Sequence, residues 1–231
     1  MGIKKIVIGL TLSLLLGSGA VVGANYDRGF AAYEAYDYES ALRELTPLAE
    51  LGEARAQSLL GYMYQTVLES QKTAVKWYTL AAQQGDPFAQ SNLGVMYQKG
   101  HGVLENDKTA VKWYTLAAEQ GHARCQSNLG IMLIHGTGVA VNSKTAVKWI
   151  TLAAKQGYAR AQNLLAASYE FGKGVLTDTK RAYMWYNIST YNGQKSADEY
   201  KLKIAKNMTS SQLNTAQDMS RRCLESNYTD C

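Results

Sequence analysis

The sequence predicts an all-α chain, a right-handed α-solenoid of helix-turn-helix repeats. Three observations carry this expectation. Trp77, Trp113, Trp149 and Trp185 stand 36 residues apart. Lys72–Ala82 and Lys108–Ala118 share the eleven letters KTAVKWYTLAA, and Lys144–Ala154 departs only at Ile150. Gly52, Gly85, Gly121, Gly157 and Gly193 follow at intervals of 33, 36, 36 and 36. A fixed period in this range marks a repeat array. A lone helix pair cannot bury both of its faces, so the pairs stack.

The elements follow in chain order. Met1 to Ala24 combines Lys4 and Lys5, an apolar run from Ile6 to Leu16, and the small residues Val22-Gly23-Ala24. That is the layout of a secretory signal peptide. The run is short for the ~20 residues of a membrane span. No cysteine near Ala24 offers a lipid attachment point. The mature chain, residues 25–231, is expected to hold units at about 25–53, 54–86, 87–122, 123–158 and 159–194, with a C-terminal cap over 195–231. In each full unit the first helix shows an apolar stripe, as in Ala89, Leu93, Met96 and Tyr97. The second shows Ala110, Trp113, Tyr114, Ala117 and Ala118, again one face of a 3.6-residue period. Gly94, beside the first stripe, is expected to let a neighbouring backbone approach. Gly121 should end the second helix in a left-handed conformation. Gly100-His101-Gly102-Val103 makes the turn between helices and recurs at Gly136 and Gly172. Asn106, Asn142 and Asp178 are placed to cap the following helix.

The unit at 54–86 lacks that turn, so a tighter connection and altered curvature are expected there. In the first unit Glu44 replaces the tryptophan, as for a terminal unit facing water, and Pro47 should kink its second helix. At the other end, a helix is expected from Ser196 to Asn207. Thr209-Ser210-Ser211-Gln212 has capping-box form and should open a last helix to about Glu225.

Composition narrows the function. The 231 residues are 46% hydrophobic and 19% charged, ordinary for a folded chain. The formal charge of +5 becomes +3 once Lys4 and Lys5 are removed, which leaves no electrostatic case for nucleic acid. Asn187, Asn207 and Asn227 each open an N-x-[ST] triplet, which has meaning only in a glycosylating host.

The filled pattern is Ala89, Leu93, Gly94 and Tyr97, then Gly100, Gly102, Val103 and Asn106, then Ala110, Trp113, Tyr114, Ala117, Ala118, Gln120 and Gly121. This closely resembles the Sel-one-like repeat (SLR) family, relatives of tetratricopeptide repeats. The match recurs along essentially the whole mature chain, more weakly at both ends. Leu133, Ile150 and Ala166 depart from the pattern. The resemblance implies a non-catalytic superhelix that mediates protein–protein contacts. Exported bacterial members act as adaptors and regulators, and some look like immunity proteins that neutralise secreted toxins. The expected location is therefore periplasmic or secreted. A cysteine-rich branch binds or hydrolyses β-lactams, which supplies the alternative reading, a protein acting on β-lactams or cell-wall peptides. Its regular cysteine pairs are missing here.

The chemistry-bearing residues are few. His101, His122 and His135 lack metal-type spacing. Neither a nucleophile motif nor a phosphate loop is present. No metal, cofactor or catalytic residue is expected. Cys125 aligns with Ala56, Ala89 and Ala161 and should pack as a small buried residue. Cys223 and Cys231 are expected to pair in an oxidising compartment rather than remain free thiols. Closing that loop should contribute about 2.5 kcal/mol in the chain-entropy model.

The stripes leave one face of every first helix unused. On it lie Arg55, Ser58 and Tyr62, then Phe88, Ser91, Asn92 and Val95. Arg124, Ser127, Asn128 and Ile131 follow, then Arg160 and Asn163. This face should line a concave groove suited to a protein or an extended peptide, with the asparagines on backbone amides and Arg124 and Arg160 on a carboxylate. Lys72, Lys108, Lys144 and Lys180, with Lys76, Lys112 and Lys148, form a ladder on the outer face. Solvation explains such a row, and weak attraction to an acidic membrane surface is the functional alternative. A monomer is expected.

Overall fold

Each helix packs chiefly on its neighbours in the sequence, except that the last helix packs on the tenth. The computed structural model describes residues 24–231. Among these are twelve α-helices and no strand. The first unit is α1 (Tyr26–Glu34) and α2 (Tyr38–Glu50). Then come α3 (Ala54–Thr66) with α4 (Gln71–Gln83), and α5 (Pro87–Lys99) with α6 (Asp107–Glu119). The last full pairs are α7 (Ala123–His135) with α8 (Ser143–Lys155), and α9 (Ala159–Phe171) with α10 (Thr179–Tyr191). The cap is α11 (Ser196–Ala205) and α12 (Ser210–Glu225). The expected signal peptide lies, apart from Ala24, outside the described residues.

Local chemistry sets the helix ends. Asn106, Asn142 and Asp178 accept from the backbone N–H groups of Thr109, Thr145 and Arg181, at 2.9 to 3.0 Å. Gly121 and its equivalents follow each second helix with positive φ, as expected of a left-handed cap. Thr209 and Gln212 form the capping box of α12. The α3–α4 connection is shorter than the three Gly-x-Gly turns that follow it, and Glu69 supplies its left-handed residue. The helix α2 runs through Pro47 to Glu50.

Within a unit, small residues of the first helix admit large ones of the second. A Cβ on Gly94 would lie 2.6 Å from the Tyr114 ring. Gly61 is filled in the same way by Tyr78, and Gly130 by Ile150. The neighbour that approaches Gly94 is therefore a side chain and not, as the sequence pattern led us to expect, a backbone. The tyrosines that fill these gaps are fully buried, and their hydroxyls need partners. Tyr78 donates to Gln65 and Tyr114 to Gln98, both at 2.9 Å, and Tyr186 donates to Glu170 at 2.7 Å. In the fourth unit both members change together. Ile150 replaces the tyrosine, and Ile134 stands where the acceptor would be. Polar pairing gives way to apolar packing, so this joint buries no tyrosine hydroxyl. The second glycine of each Gly-x-Gly turn makes a different joint. A Cβ on Gly102 would meet the Gln71 backbone of the preceding unit at 2.6 Å.

A polar seam runs through the same joints. Gln57, Gln90, Gln126 and Gln162 are buried on their first helices. Each donates to a carbonyl in the last turn of the preceding second helix, Ala49, Ala82, Ala118 and Ala154, at 2.9 to 3.1 Å. Each also accepts from the residue that ends its own unit's second helix. Those donors are Gln84, Gln120, Gln156 and Asn192, all at 2.8 Å. These helix-end carbonyls also accept from the N–H of the glycine three residues on, so the glutamine fills their second acceptor position.

Two terminal features differ from the sequence expectation. Glu44 does not face open water. It accepts from the Asn25 backbone N–H at 3.1 Å and lies 3.9 Å from Arg28. The C-terminal cap covers the helix face that α4, α6 and α8 leave exposed. Met184 stands where Lys76, Lys112 and Lys148 stand, and Ile188 where Leu80, Leu116 and Leu152 stand, and both are buried. Cys223 and Cys231 form a disulfide. Its loop holds Tyr228 at hydrogen-bond distance from Asn192, 2.9 Å, so the tail closes the last link of the seam.

Two stability predictions follow from these joints. Gln126→Ala removes the second hydrogen bond of the Ala118 carbonyl and the acceptor of the Gln156 amide, and should cost about 1–3 kcal/mol in urea unfolding. Gly102→Ala should cost clearly more than Gly85→Ala. Both have positive φ, worth roughly 1 kcal/mol, but Gly85 has open space around it whereas Gly102 faces rigid backbone.

Candidate functional site

The exposed face of the first helices opens into two recesses. The first lies among α1, α3 and α5 and measures about 450 Å³. Tyr26, Phe30, Tyr33, Tyr62 and Phe88 make it an aromatic cup. Phe88 sits 5.9 Å from Tyr62, and Tyr62 sits edge-on to Tyr33 at 6.1 Å. Arg55 stacks 4.0 Å over the Tyr26 ring, a cation–π contact that holds its charge in place. Ser58 donates to Asp86 at 2.9 Å, and the same carboxylate caps α5 through the Ala89 N–H.

The second recess lies among α5, α7 and α9 and measures about 590 Å³. Val95 and Ile131 form its apolar wall, and Gln98, Lys99, Tyr114, Arg124, Asn128 and Arg160 give it polar groups. Arg124 reaches back one unit and donates through Nη2 to Ser91 at 2.8 Å and to Asn92 at 3.1 Å. Arg160 occupies the equivalent position one repeat on. It makes only a long contact with Asn128, 3.5 Å. The Ser127 hydroxyl that matches Ser91 is buried without a partner. Burial pushes the Tyr114 hydroxyl well above its ordinary pKa, with Cys125 adding to the rise and Arg124 opposing it.

The residues expected to line the groove therefore fall into three sets. Arg55, Ser58, Tyr62 and Phe88 line the aromatic cup. Val95, Arg124, Asn128, Ile131 and Arg160 line the cationic recess. Ser91, Asn92 and Ser127 lie beneath the surface, where Ser91 and Asn92 brace Arg124, while Asn163 is half-buried. The sequence reading missed Tyr26, Phe30 and Tyr33, which come from the divergent first unit. It also placed Tyr114 wholly in the core stripe, although its hydroxyl end borders the recess. Cys125 is buried, as its alignment with alanines implied. The Lys72 to Lys180 ladder is exposed on the second helices. Among the described residues no cluster of His, Cys, Asp and Glu could hold a metal, and no helix is long and apolar enough to cross a membrane.

The Sel1 repeat model matches residues 54–86, 87–122, 123–158 and 159–193. The chain belongs to the Sel1 repeat family. A Sel1 repeat protein from Oxalobacter formigenes is 37% identical over 77% of this chain and 74% of its own, with a TM-score of 0.72. A second solved structure is c5321, a protective antigen of uropathogenic Escherichia coli strains with an SLR fold. It is 30% identical over 88% of this chain, with a TM-score of 0.80, and this chain spans 46% of its length. No curated protein matches the chain. Sel1 repeat proteins are generally non-enzymatic scaffolds for protein–protein contact. Both recesses of this Sel1 array are open surfaces on that scaffold.

The buried tyrosines make the fold sensitive to alkali. Burial raises the pKa of Tyr78, Tyr114 and Tyr186 above the ordinary 10.0. Below pH 10 the neutral hydroxyl is the stable form in both folded and unfolded chains, and their contribution is complete. Above pH 10 the unfolded chain ionises first, so stability should fall as pH rises. Tyrosinate absorbance near 295 nm should show a late phase that coincides with loss of helical circular dichroism.

Proposed function

We propose that this Sel1 repeat protein is an exported scaffold that grips a segment of a protein partner on its first-helix face, as an adaptor or as a neutraliser of a secreted toxin. The observation that carries this reading is the pair of recesses on one face. One is aromatic and one cationic, and both are built mainly from first-helix positions. Large aromatic side chains and arginines are the residue types that anchor protein interfaces. The Cys223–Cys231 disulfide supports an oxidising compartment, and the layout of residues 1–24 supports export.

Affinity capture tests the reading. Oxidised protein would be presented to envelope and secreted extracts, with a Tyr62→Ala/Asn128→Ala variant as the control. One stoichiometric partner retained by the natural sequence and lost in the variant is expected. The partner's identity separates adaptor from toxin neutraliser. A partner held equally well by both proteins would place binding elsewhere on the molecule.

A further inference from the structure

The two recesses differ in charge compensation. In the aromatic cup Arg55 lies against Tyr26, and Asp86 lines the same cavity. In the α5–α7–α9 recess Lys99, Arg124 and Arg160 meet no acidic residue in the lining. None of the ion pairs among the described residues involves these three. Three cations around one open cavity of about 590 Å³ form a site for anionic groups.

The arginines are also prepared differently. Arg124 is fixed by Ser91 and Asn92, and its Nε is buried without a partner. Arg160 is exposed, has only the 3.5 Å contact with Asn128, and leaves Ser127 unpaired beneath it. One repeat thus shows the braced arrangement, and the next shows the same residues unengaged. A fixed guanidinium and a movable one, on adjacent repeats, can hold two neighbouring carboxylates. The apolar wall of Val95 and Ile131 accepts the aliphatic stems of longer acidic side chains.

We propose that this recess binds an acidic segment of a protein partner, with Arg124 and Arg160 each taking a side-chain carboxylate and Lys99 adding attraction at the rim. Arginine suits this task because its planar fork matches a carboxylate in two parallel hydrogen bonds. The proposal rests on the scaffold reading and specifies what one half of its surface recognises.

Titration calorimetry with an end-blocked hexaglutamate peptide tests it, using the full protein with its disulfide intact. Binding that weakens as salt is raised is expected. Arg160→Gln and Arg124→Gln should each weaken it about tenfold, the scale of one charge-assisted contact. Lys112→Gln, on the second-helix face, should leave it unchanged. Arg160 is exposed and braces nothing, so its variant keeps the fold even if Arg124→Gln disturbs it. Absence of binding would overturn the proposal, as would equal losses for Arg160→Gln and Lys112→Gln. So would preference for a hexaglutamine peptide with a free C-terminus, or displacement by inorganic phosphate at a similar concentration. A partner captured through Tyr62 and retained by the Arg124/Arg160 variants would leave the scaffold standing and remove this subsite alone.

Discussion

The buried glutamine at each joint is the interaction on which the stack depends. Stacking buries the last carbonyls of each second helix, which the following glycine N–H groups satisfy only once. Gln57, Gln90, Gln126 and Gln162 meet those carbonyls and accept in turn from the next helix end. The geometry fixes where each second helix ends relative to the following pair. Tyrosine in the gap left by glycine then fixes how closely the helices of a pair approach. Together these contacts hold the first helices in register, so their unused faces align into one surface. The seam ends where the disulfide places Tyr228 on Asn192.

The fold was legible because nearly identical units repeat, and repetition exposes periodic positions that a single copy would hide. The glutamines recur at the same period, but nothing in a sequence marks an amide as facing a buried carbonyl. The covered face of α10 was written in the exchange of lysine for Met184, a signal that gains meaning once α12 is seen to pack there. The site was legible as a face and not as two cavities. Ser91 and Ser127 sit on that face but lie under the arginines of the following unit, a contact across more than thirty residues. Tyr114 was hidden because a residue can serve the core with its ring and a cavity with its hydroxyl.

Function follows from the division of labour between the two helices of a unit. The second helices α4, α6 and α8 carry the nearly identical KTAVKWYTLAA stretch and supply core residues and most of the lysine ladder. The first helices carry the variation, with Phe88 where its neighbours have arginine and Leu59 and Leu164 where others have asparagine. Variation on the exposed face gives a graded surface, aromatic at the N-terminal end and cationic toward the C-terminal end. On the proposed reading, such a surface would discriminate partners by the order of chemical groups along an extended segment.

Hydrogen–deuterium exchange with and without the captured partner tests that account most directly. New protection is expected in α3, α5, α7 and α9, with α4, α6 and α8 unchanged. Protection centred on the exposed lysine and leucine rows of α4, α6 and α8 would contradict it, and would move the binding surface to the opposite side of the stack.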